Sequence, residues 1–367
     1  MKSKIIYIED DSRDSNKYKR VLEDEDSDYN GFEIIGIPAQ DIVISKRFSD
    51  FEQHVPDLFL VDLDLSKQKN NIVFGLSGAS TSIALREKFP DIPIVIFTRK
   101  DIIKSRFPAI EQTISGVDEI IFKDEIRDDI QKHKNIFIEL IRGYRSIRER
   151  KPAAFKDILA LLNAPSTAFD LIKLADSPLI DKSIPNYLIA NWIRNTLLNY
   201  PGILYDPIHS ATFLGISKEA FLTDGIQEYF RDAEYSGVFR QTEGRWWKSK
   251  LNILASNIMN DSEKELAFRE GFPLAWERKN GAASLERSKC TFSCESPAEW
   301  VCCILKEPMM IKYSLSYRVD SRPKIMDEAR VSFKAIKTSN EFKEELIEDP
   351  SATKILQGIK KMRLKRC

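Results

Sequence analysis

The sequence predicts an α/β protein whose first third forms a parallel sheet. Two observations predict this class: four short apolar runs rich in Ile, Val and Phe, and polar stretches between the runs that are long enough for helices. Strands that are buried on both faces of a parallel sheet appear as such continuous runs. The predicted strands lie at residues 5–8, 58–61, 94–97 and 119–122.

A third observation concerns the ends of the predicted strands, since each strand is followed by a polar residue. The first strand is followed by Glu9 and Asp10, the second by Asp62, the third by Thr98 and the fourth by Lys123. Because ligands gather at the carboxyl ends of the strands in an open parallel sheet, we expect these side chains to form one site. Three carboxylates repel one another unless a hard cation neutralises them, and Mg²⁺ with oxygen ligands fits best.

A carboxylate beside Mg²⁺ can attack a phosphoryl donor and form an aspartyl phosphate. A lysine and a hydroxyl then stabilise the oxygens of the transferring group. Asp62 is the candidate nucleophile, with Thr98 and Lys123 as its partners.

In this order, the residues resemble the receiver domain of two-component response regulators, over roughly residues 1–130. The resemblance implies a flavodoxin-like fold, with a five-stranded, doubly wound parallel sheet. It also implies a histidine kinase or a small phosphodonor as partner. The only catalysis that it implies is the receiver's own phosphorylation and dephosphorylation.

The resemblance also assigns a role to each site residue. Asp10 is implied as a direct Mg²⁺ ligand, Glu9 as a ligand through water, and Asp64 as a ligand through its backbone carbonyl. Asp62 is implied as the phosphoacceptor and a further metal ligand. Thr98 matches the switch hydroxyl, and Lys123 matches the lysine that pairs with the phosphoryl group.

Three departures from the receiver pattern leave a second interpretation open. Arg99 replaces the small residue that usually follows the threonine, Ile120 replaces the aromatic switch residue, and Asp124 replaces the proline after the lysine. The chain is then either a receiver that is phosphorylated on Asp62 or a pseudo-receiver that docks a partner and belongs to a protein-interaction effector.

Composition describes an ordinary globular protein of two or three domains. The 367 residues are 43% apolar and 31% charged, and 56 basic residues balance 56 acidic ones, so no global field draws the chain to nucleic acid or membrane. The chain start leaves no room for a signal peptide, and no apolar run is long enough to cross a bilayer. We therefore expect a cytoplasmic protein without membrane contact, and five cysteines that do not form a disulfide framework.

Residues 1–125 are assigned to the receiver, and residues 126–151 to a connecting helix. From Ile126 to Ile147, seven residues, most of them apolar, recur at alternating steps of four and three, and Lys151-Pro152 ends the pattern. One interpretation is a helix that relays a signal or forms a homodimer. The other is a last receiver helix that packs within its own chain.

Residues 152–260 are predicted to be a mainly helical output region. Within it, residues 211–221 resemble a helix-turn-helix, in which Gly215 permits the turn and Phe221 is buried. A helical hairpin without DNA contact explains the pattern equally well. The pair Trp246-Trp247 suggests either a binding surface or a local core.

Residues 261–367 are predicted to be a mixed α+β subdomain with strands at 310–319 and 329–336 and a basic tail at 354–366. Its cysteines Cys290, Cys294, Cys302 and Cys303 either hold Zn²⁺ or remain reduced, some of them buried. The output target is thus DNA or another protein. An enzymatic output would need a new constellation, such as His209, Asp232 and Glu234 in one cleft.

Overall fold

The computed structural model describes residues 2–23, 31–38, 55–65, 77–102, 116–126, 128–175, 184–240, 244–281, 284–317, 322–338, 357–359 and 361. Contacts divide the chain into two units. The first comprises Met1–Asp157 with Pro178–Asn191, and the second comprises Ile158–Ser177 with Trp192–Cys367. Of the predicted basic tail at 354–366, the structure describes residues 357–359 and 361.

The first unit is built on a five-stranded sheet in which every neighbouring pair is parallel. Its strands are β1 (Ser3–Glu9), β2 (Phe32–Pro38), β3 (Leu58–Val61), β4 (Ile94–Thr98) and β5 (Glu119–Phe122). Their spatial order is β2-β1-β3-β4-β5. This is the flavodoxin-like, doubly wound order, so the predicted fold class of the first unit is confirmed.

Strand β2 is the one strand of this sheet that lies outside the four predicted apolar runs. It is an edge strand, and its residues alternate between buried and exposed positions, from Phe32 to Pro38. Such a strand does not appear as a continuous apolar run. The strands β1, β3 and β4, in contrast, are almost entirely buried at their centres, and β5, at the other edge of the sheet, is partly buried.

Three described helices accompany this sheet: α1 (Ser12–Glu23), α2 (Gly78–Lys88) and α3 (Ile130–Arg150). Helix α3 begins four residues later than the predicted connecting helix. Asp129 caps it by accepting a hydrogen bond from the backbone N–H of Lys132, and Lys151 ends it in a left-handed conformation. Ile126 precedes the helix but is buried.

The predicted seam of α3 packs inside its own unit. His133, Phe137, Leu140, Tyr144 and Ile147 are all buried within the chain. The ring of Phe137 contacts Phe32 edge to face at 6.2 Å. These residues pack within the chain, as expected for a last receiver helix. The homodimer contact that the sequence left open therefore does not use this seam.

A buried ion pair ties α2 to the start of β5 and to α3. Arg86 donates to Asp118 at 2.5 Å and to the carbonyl of Gly116 at 2.7 Å, while the Tyr144 hydroxyl donates to the other Asp118 oxygen at 2.5 Å. Because both charges are buried and hydrogen-bonded, this network fixes the position of β5, the strand that precedes Lys123.

The second unit is mainly helical with small sheets. Helices that lie wholly or partly in it are α4 (Phe155–Leu162), α5 (Phe169–Leu174), α6 (Asn186–Trp192), α7 (Pro207–Leu214), α8 (Lys218–Phe221), α9 (Asp224–Tyr229), α10 (Lys248–Ser256), α11 (Asp261–Lys264), α12 (Phe268–Asn280) and α13 (Phe333–Thr338). Its antiparallel pairs are β6 (Leu204–Tyr205) with β7 (Trp246–Trp247), β8 (Trp300–Val301) with β9 (Pro308–Met309), and β10 (Ser314–Ser316) with β11 (Arg330–Ser332).

The helix-turn-helix pattern folds as a helix followed by a single turn of helix. Gly215 adopts a φ of +78° at the end of α7, and Phe221 is fully buried, as predicted. Helix α8, however, has only four residues, which span about 6 Å. So short an element offers little length for a DNA groove, and the arrangement fits a helical hairpin of the core.

Two further expectations are settled by burial and backbone structure. Trp246 and Trp247 are 5% and 2% exposed, so the pair anchors a local core. The predicted strand at 329–336 is wrong in its second half, because residues from Phe333 onward form α13. The strand β11 ends where Ser332 accepts a hydrogen bond from the backbone N–H of Ala335.

The four clustered cysteines do not form a tetrahedral thiolate site. Cys290 and Cys302 are buried in an apolar cluster, and Cys294 is bonded in a disulfide, contrary to the expectation of reduced thiols. The sulfur of Cys302 accepts hydrogen bonds from the backbone N–H groups of Leu305 and Ser332. The cluster thus packs a core, and the zinc interpretation has no support among these residues.

Within the described part of the chain, no helix combines the length and the apolar character that a membrane span requires.

Candidate functional site

Three acidic side chains meet at the carboxyl end of the five-stranded sheet. Strands β1 and β3 are parallel neighbours with Ile8 opposite Val61, so the residues that follow them emerge side by side. One ligand oxygen from each of Glu9, Asp10 and Asp62 lies within 4.8 Å of the others. Among the described residues, this is the one cluster of three or more His, Cys, Asp or Glu side chains that is arranged to hold a metal ion.

Lys123 joins two of these carboxylates. Its Nζ donates to Glu9 Oε2 at 2.6 Å and to Asp62 Oδ2 at 2.8 Å, and its side chain is 2% exposed. Its backbone N–H donates to the carbonyl of Thr98 at 2.7 Å, which continues the pairing of β4 with β5. The sheet therefore brings together Glu9, Asp62 and Lys123, as their places at strand ends predict.

Aromatic rings surround the ammonium group. The Nζ of Lys123 lies 5.7 Å from the ring centres of Tyr7, Tyr18 and Phe97. The Tyr7 hydroxyl also donates to Glu9 Oε2 at 2.5 Å. Sequence reasoning missed these rings, because Tyr7 and Phe97 lie inside apolar strands and look like ordinary core residues. Because the faces of aromatic rings carry negative potential, these rings stabilise the positive charge of Lys123.

The two carboxyl groups that share Lys123 titrate differently. Burial raises the pKa of Glu9, but the Lys123 charge and the hydrogen bonds from Lys123 and Tyr7 outweigh burial and lower that pKa below its usual value. Burial raises the pKa of Asp62 to about 7, and the neighbouring Glu9 charge adds to the rise against the effect of Lys123. Glu9 is therefore the ionised partner, and Asp62 exchanges its proton near neutral pH.

Thr98 carries a buried hydroxyl without a hydrogen-bond partner among the described residues. The residue is fully buried at the end of β4, and its Oγ1 has no hydrogen-bond partner among the residues that the structure describes. An unsatisfied buried hydroxyl costs free energy. Thr98 ends β4, and the neighbouring strand β3 precedes Asp62. The Thr98 hydroxyl is therefore placed to complete its hydrogen bonding with an oxygen of a ligand at Asp62.

Asp64 is buried two residues beyond Asp62, and its backbone N–H donates to Asp62 Oδ1 at 3.4 Å. Gly78, at the start of α2, donates its own N–H to the carbonyl of Leu63 at 2.9 Å. A Cβ at Gly78 would lie 2.0 Å from the Asp62 carbonyl oxygen. Only a glycine at this position lets α2 come so close to the backbone of Asp62, the candidate nucleophile.

Two of the departures from the receiver pattern, Arg99 and Asp124, are exposed, and the third lies against the core of the sheet. Arg99 pairs with Asp101, and its side chain is 52% exposed, so its guanidinium is engaged at the surface rather than with Asp62. Asp124 accepts a hydrogen bond from the backbone N–H of Lys100 at 3.1 Å. Ile120 is partly buried and packs against the core of the sheet, so no aromatic ring stands at its position.

The second unit does not assemble the enzymatic constellation that the sequence suggests. His209 pairs through Nδ1 with Asp206 at 2.8 Å, at the first turn of α7. Glu234 pairs instead with Arg240, and neither Glu234 nor Asp232 lines the cavity beside His209.

No family model and no curated protein matches the chain. Among solved structures, a receiver domain protein (CheY-like) from Methanospirillum hungatei JF-1 is 19% identical, with a TM-score of 0.29, over 39% of this chain and 98% of its own. A LuxR-family two-component response regulator from Aurantimonas sp. SI85-9A1 is 18% identical, with a TM-score of 0.27, over 38% of this chain and 86% of its own.

The response regulator TrrA from Thermotoga maritima, solved with Mg²⁺-BeF, is 20% identical, with a TM-score of 0.24, over 35% of this chain and 97% of its own. All three matches cover less than half of this chain. The flavodoxin-like class of the first unit rests on its own strand order, β2-β1-β3-β4-β5.

Proposed function

We propose that the first unit is a response regulator receiver that binds Mg²⁺ and accepts a phosphoryl group on Asp62 from a histidine kinase or a small phosphodonor. The observation that carries this proposal is the geometry of Lys123, whose buried Nζ bridges Glu9 and Asp62. The hydroxyl of Thr98, buried without a partner among the described residues, supports it.

The donor set fits Mg²⁺. Oxygens of Glu9, Asp10 and Asp62 converge at the strand ends, and oxygen-rich sites of this kind suit a hard divalent cation. Asp10 and Asp62 would hold the ion directly, together with the backbone carbonyl of Asp64, and Glu9 would act through water. When bound, Mg²⁺ supplies positive charge that offsets the carboxylates and the phosphoryl oxygens.

The residues of the chain divide the transfer among them. An Asp62 carboxylate oxygen forms the new bond to phosphorus as the bond from phosphorus to the donor's nitrogen or oxygen breaks, and the leaving group departs with the electron pair. Lys123 moves its hydrogen bonds from the carboxylates toward the phosphoryl oxygens, and Thr98 Oγ1 donates to one of them. Phosphorylation needs the ionised form of Asp62, whose pKa of about 7 makes that form accessible at neutral pH.

The added charge is proposed to act as a switch for the output region. A phosphoryl group at Asp62 would draw Thr98 and Lys123 inward and shift the end of β4 relative to β5. The target that the output region then contacts is DNA or another protein.

Intact-protein mass spectrometry after incubation with acetyl phosphate and Mg²⁺ tests the proposal. We expect the wild type to gain about 80 Da, the mass of one phosphoryl group on a carboxylate, and Asp62→Asn to gain nothing. Asp101→Asn is the matched control, because it makes the same chemical change at an exposed aspartate that pairs with Arg99, and it should gain the same mass as the wild type.

The second candidate is a pseudo-receiver that docks a partner without phosphorylation. Ile120 favours it, because an aliphatic side chain replaces the aromatic residue that the receiver resemblance implies at this position. If wild type and Asp101→Asn both remain unmodified while they bind Mg²⁺, phosphorylation by small donors is excluded and the docking module is the better description.

A further inference from the structure

The second unit contains a cavity of about 400 Å³ that the receiver proposal does not use. Its walls come from β6, α7, the start of α10, the start of α12 and the segments around β8 and β11, all of them within this unit. A volume of this size lies in the range of small-molecule sites. Its chemistry follows from three groups of lining residues.

Aromatic rings form an apolar wall. The ring of Phe213 on α7 lies 5.6 Å from Tyr205 and 4.9 Å from Phe268, measured between ring centres. Trp300 lines the same cavity, and its indole N–H donates to the carbonyl of Glu328. Such a wall favours a planar apolar group, because flat surfaces stack on aromatic rings.

Three residues that line the same cavity carry buried polar atoms without partners. Arg269 and Arg322 line the cavity, and the Nη1 atom of each is buried without a hydrogen-bond partner among the described residues. Thr212 also lines it, is 3% exposed, and has a buried Oγ1 without a partner in the described part of the chain. Three unsatisfied polar atoms around one cavity point to a ligand that accepts hydrogen bonds.

The acidic residues of the wall are already engaged. Asp327 accepts from Lys248 Nζ at 2.9 Å and from the Tyr205 hydroxyl at 2.5 Å. Glu328 pairs with Arg330 at 2.8 Å, and Glu299 accepts from the backbone N–H of Ile311 at 2.9 Å. Four basic residues, Lys248, Arg269, Lys306 and Arg322, line the cavity beside these three acidic ones, so the net charge of the wall is positive, which favours an anion.

The same wall argues for binding rather than covalent catalysis. Cys303 lines the cavity, but burial, followed by the proximity of Cys302, raises the pKa of its thiol to about 11, so the nucleophilic thiolate is scarce at neutral pH. His209, whose Nδ1 is held by Asp206, also lines the cavity and adds a polar edge.

From these observations we infer that the cavity binds a small organic anion, a carboxylate or a phosphate attached to a planar apolar body. Arg269 and Arg322 pair with the anionic group, Thr212 donates to it, and the rings of Phe213 and Phe268 contact the planar body. The output region then carries a ligand site of its own, distinct from Asp62.

Isothermal titration calorimetry of the full chain tests the inference with four probes: 1-naphthyl phosphate, 1-naphthoate, neutral 1-naphthalenemethanol and inorganic phosphate. We expect saturable binding of one or both aromatic anions, at least about tenfold tighter than the neutral alcohol and than inorganic phosphate, because each of these lacks one half of the interaction. The tighter of the two aromatic anions identifies the anionic group.

Three variants locate the site. Arg269→Gln and Arg322→Gln should each weaken binding at least about tenfold, and Thr212→Val should weaken it several-fold, because each removes a donor to a charged group. Lys279→Gln is the matched control, since it removes a positive charge from the same helix as Arg269 but lies outside the cavity, and it should bind like the wild type.

If Arg269→Gln does not fold, as judged by circular dichroism, Arg322→Gln and Thr212→Val decide the question. The inference is overturned if neither aromatic anion binds, if the neutral alcohol binds as tightly as the anions, or if the variants bind like the wild type. None of these results affects the mass gain at Asp62, so the two proposals fail separately.

Discussion

Asp62 and Glu9 lie on neighbouring strands and share one lysine, yet their pKa values move in opposite directions. Glu9 receives hydrogen bonds from Tyr7 and Lys123, which stabilise its charged form. Burial raises the pKa of Asp62 to about 7, and the charge of Glu9 adds to the rise against the effect of Lys123. A proton and a divalent cation therefore compete for Asp62 in the physiological range.

This competition predicts that Mg²⁺ affinity depends on pH. The pKa of Asp62 is about 7. At a pH below this value Asp62 holds a proton that Mg²⁺ must displace, and at a pH above it the carboxylate is already ionised. We expect the apparent affinity for Mg²⁺ to fall about tenfold between pH 8 and pH 6, since one pH unit below the pKa corresponds to a tenfold excess of the protonated form. Calorimetric titration with MgCl₂ at the two pH values measures it.

The variant Asp62→Asn serves as the control for this titration. It cannot ionise at position 62, so its weaker Mg²⁺ binding should vary much less between pH 6 and pH 8. Equal affinity of the wild type at both pH values would show that the metal does not compete with the Asp62 proton.

At the scale of elements, strand order and close helix contacts determine which side chains meet. The parallel order places β1 beside β3, and Lys123 then reaches back to both acidic residues from the end of β5. The buried pair Arg86–Asp118 and the Tyr144 hydroxyl hold the loop before β5 against α2 and α3. The site is therefore positioned by rigid elements.

The approach of α2 to the Asp62 backbone predicts a large effect of Gly78→Ala. A Cβ at this position lies 2.0 Å from the Asp62 carbonyl oxygen and 2.6 Å from the Leu63 Cα, so backbone atoms must move. We expect the free energy of unfolding to fall by about 1–3 kcal/mol, as in other overpacked sites, and Mg²⁺ affinity to decrease as well. Urea unfolding and the calorimetric titration measure the two quantities.

Gly225→Ala is the matched control for this prediction. Gly225 lies in α9, and no heavy atom lies within 4 Å of the position of its added Cβ. The usual gain in helix stability should then appear, by about 0.5–1 kcal/mol. A Gly78→Ala protein that is as stable as the wild type and binds Mg²⁺ normally would contradict the proposed role of this contact.

At the scale of the whole molecule, charge is balanced, with 56 basic and 56 acidic residues. Long-range attraction to nucleic acid is therefore weak, and local patches have to supply it. The helical hairpin at α7 and α8 offers one turn of helix, with Lys218 as its basic residue.

We accordingly predict little non-specific DNA binding by the unphosphorylated protein. At 0.15 M salt, the dissociation constant for a random duplex should be weaker than about 100 µM, the weak end of the usual non-specific range. Fluorescence anisotropy with a labelled duplex measures it. Tighter binding that weakens steeply with salt would indicate phosphate contacts by the basic segment 354–366, and a chain that ends at residue 353 would then lose it.

Part of this molecule could be predicted from local sequence, and part could not. The strands β1, β3, β4 and β5 appear as apolar runs, whereas β2 alternates between buried and exposed residues and is not detected by the same criterion. The predicted strand at 329–336 turned into helix α13 after Ser332, because alternation over a few residues does not distinguish a strand from a short buried helix. Cysteine spacing likewise does not show which thiols will be buried.

By itself, the sequence determined the fold class of the first unit and the polar residues at its strand ends, because these residues come directly after apolar runs in the chain. That is why Glu9, Asp10, Asp62, Thr98 and Lys123 can be named from the printed chain. Only the tertiary structure decided that Lys123 bridges two carboxylates, that aromatic rings enclose it, and that Arg269, Arg322 and Thr212 share a cavity. These residues are far apart in the chain, and their contacts depend on the path of the backbone, which no local pattern records.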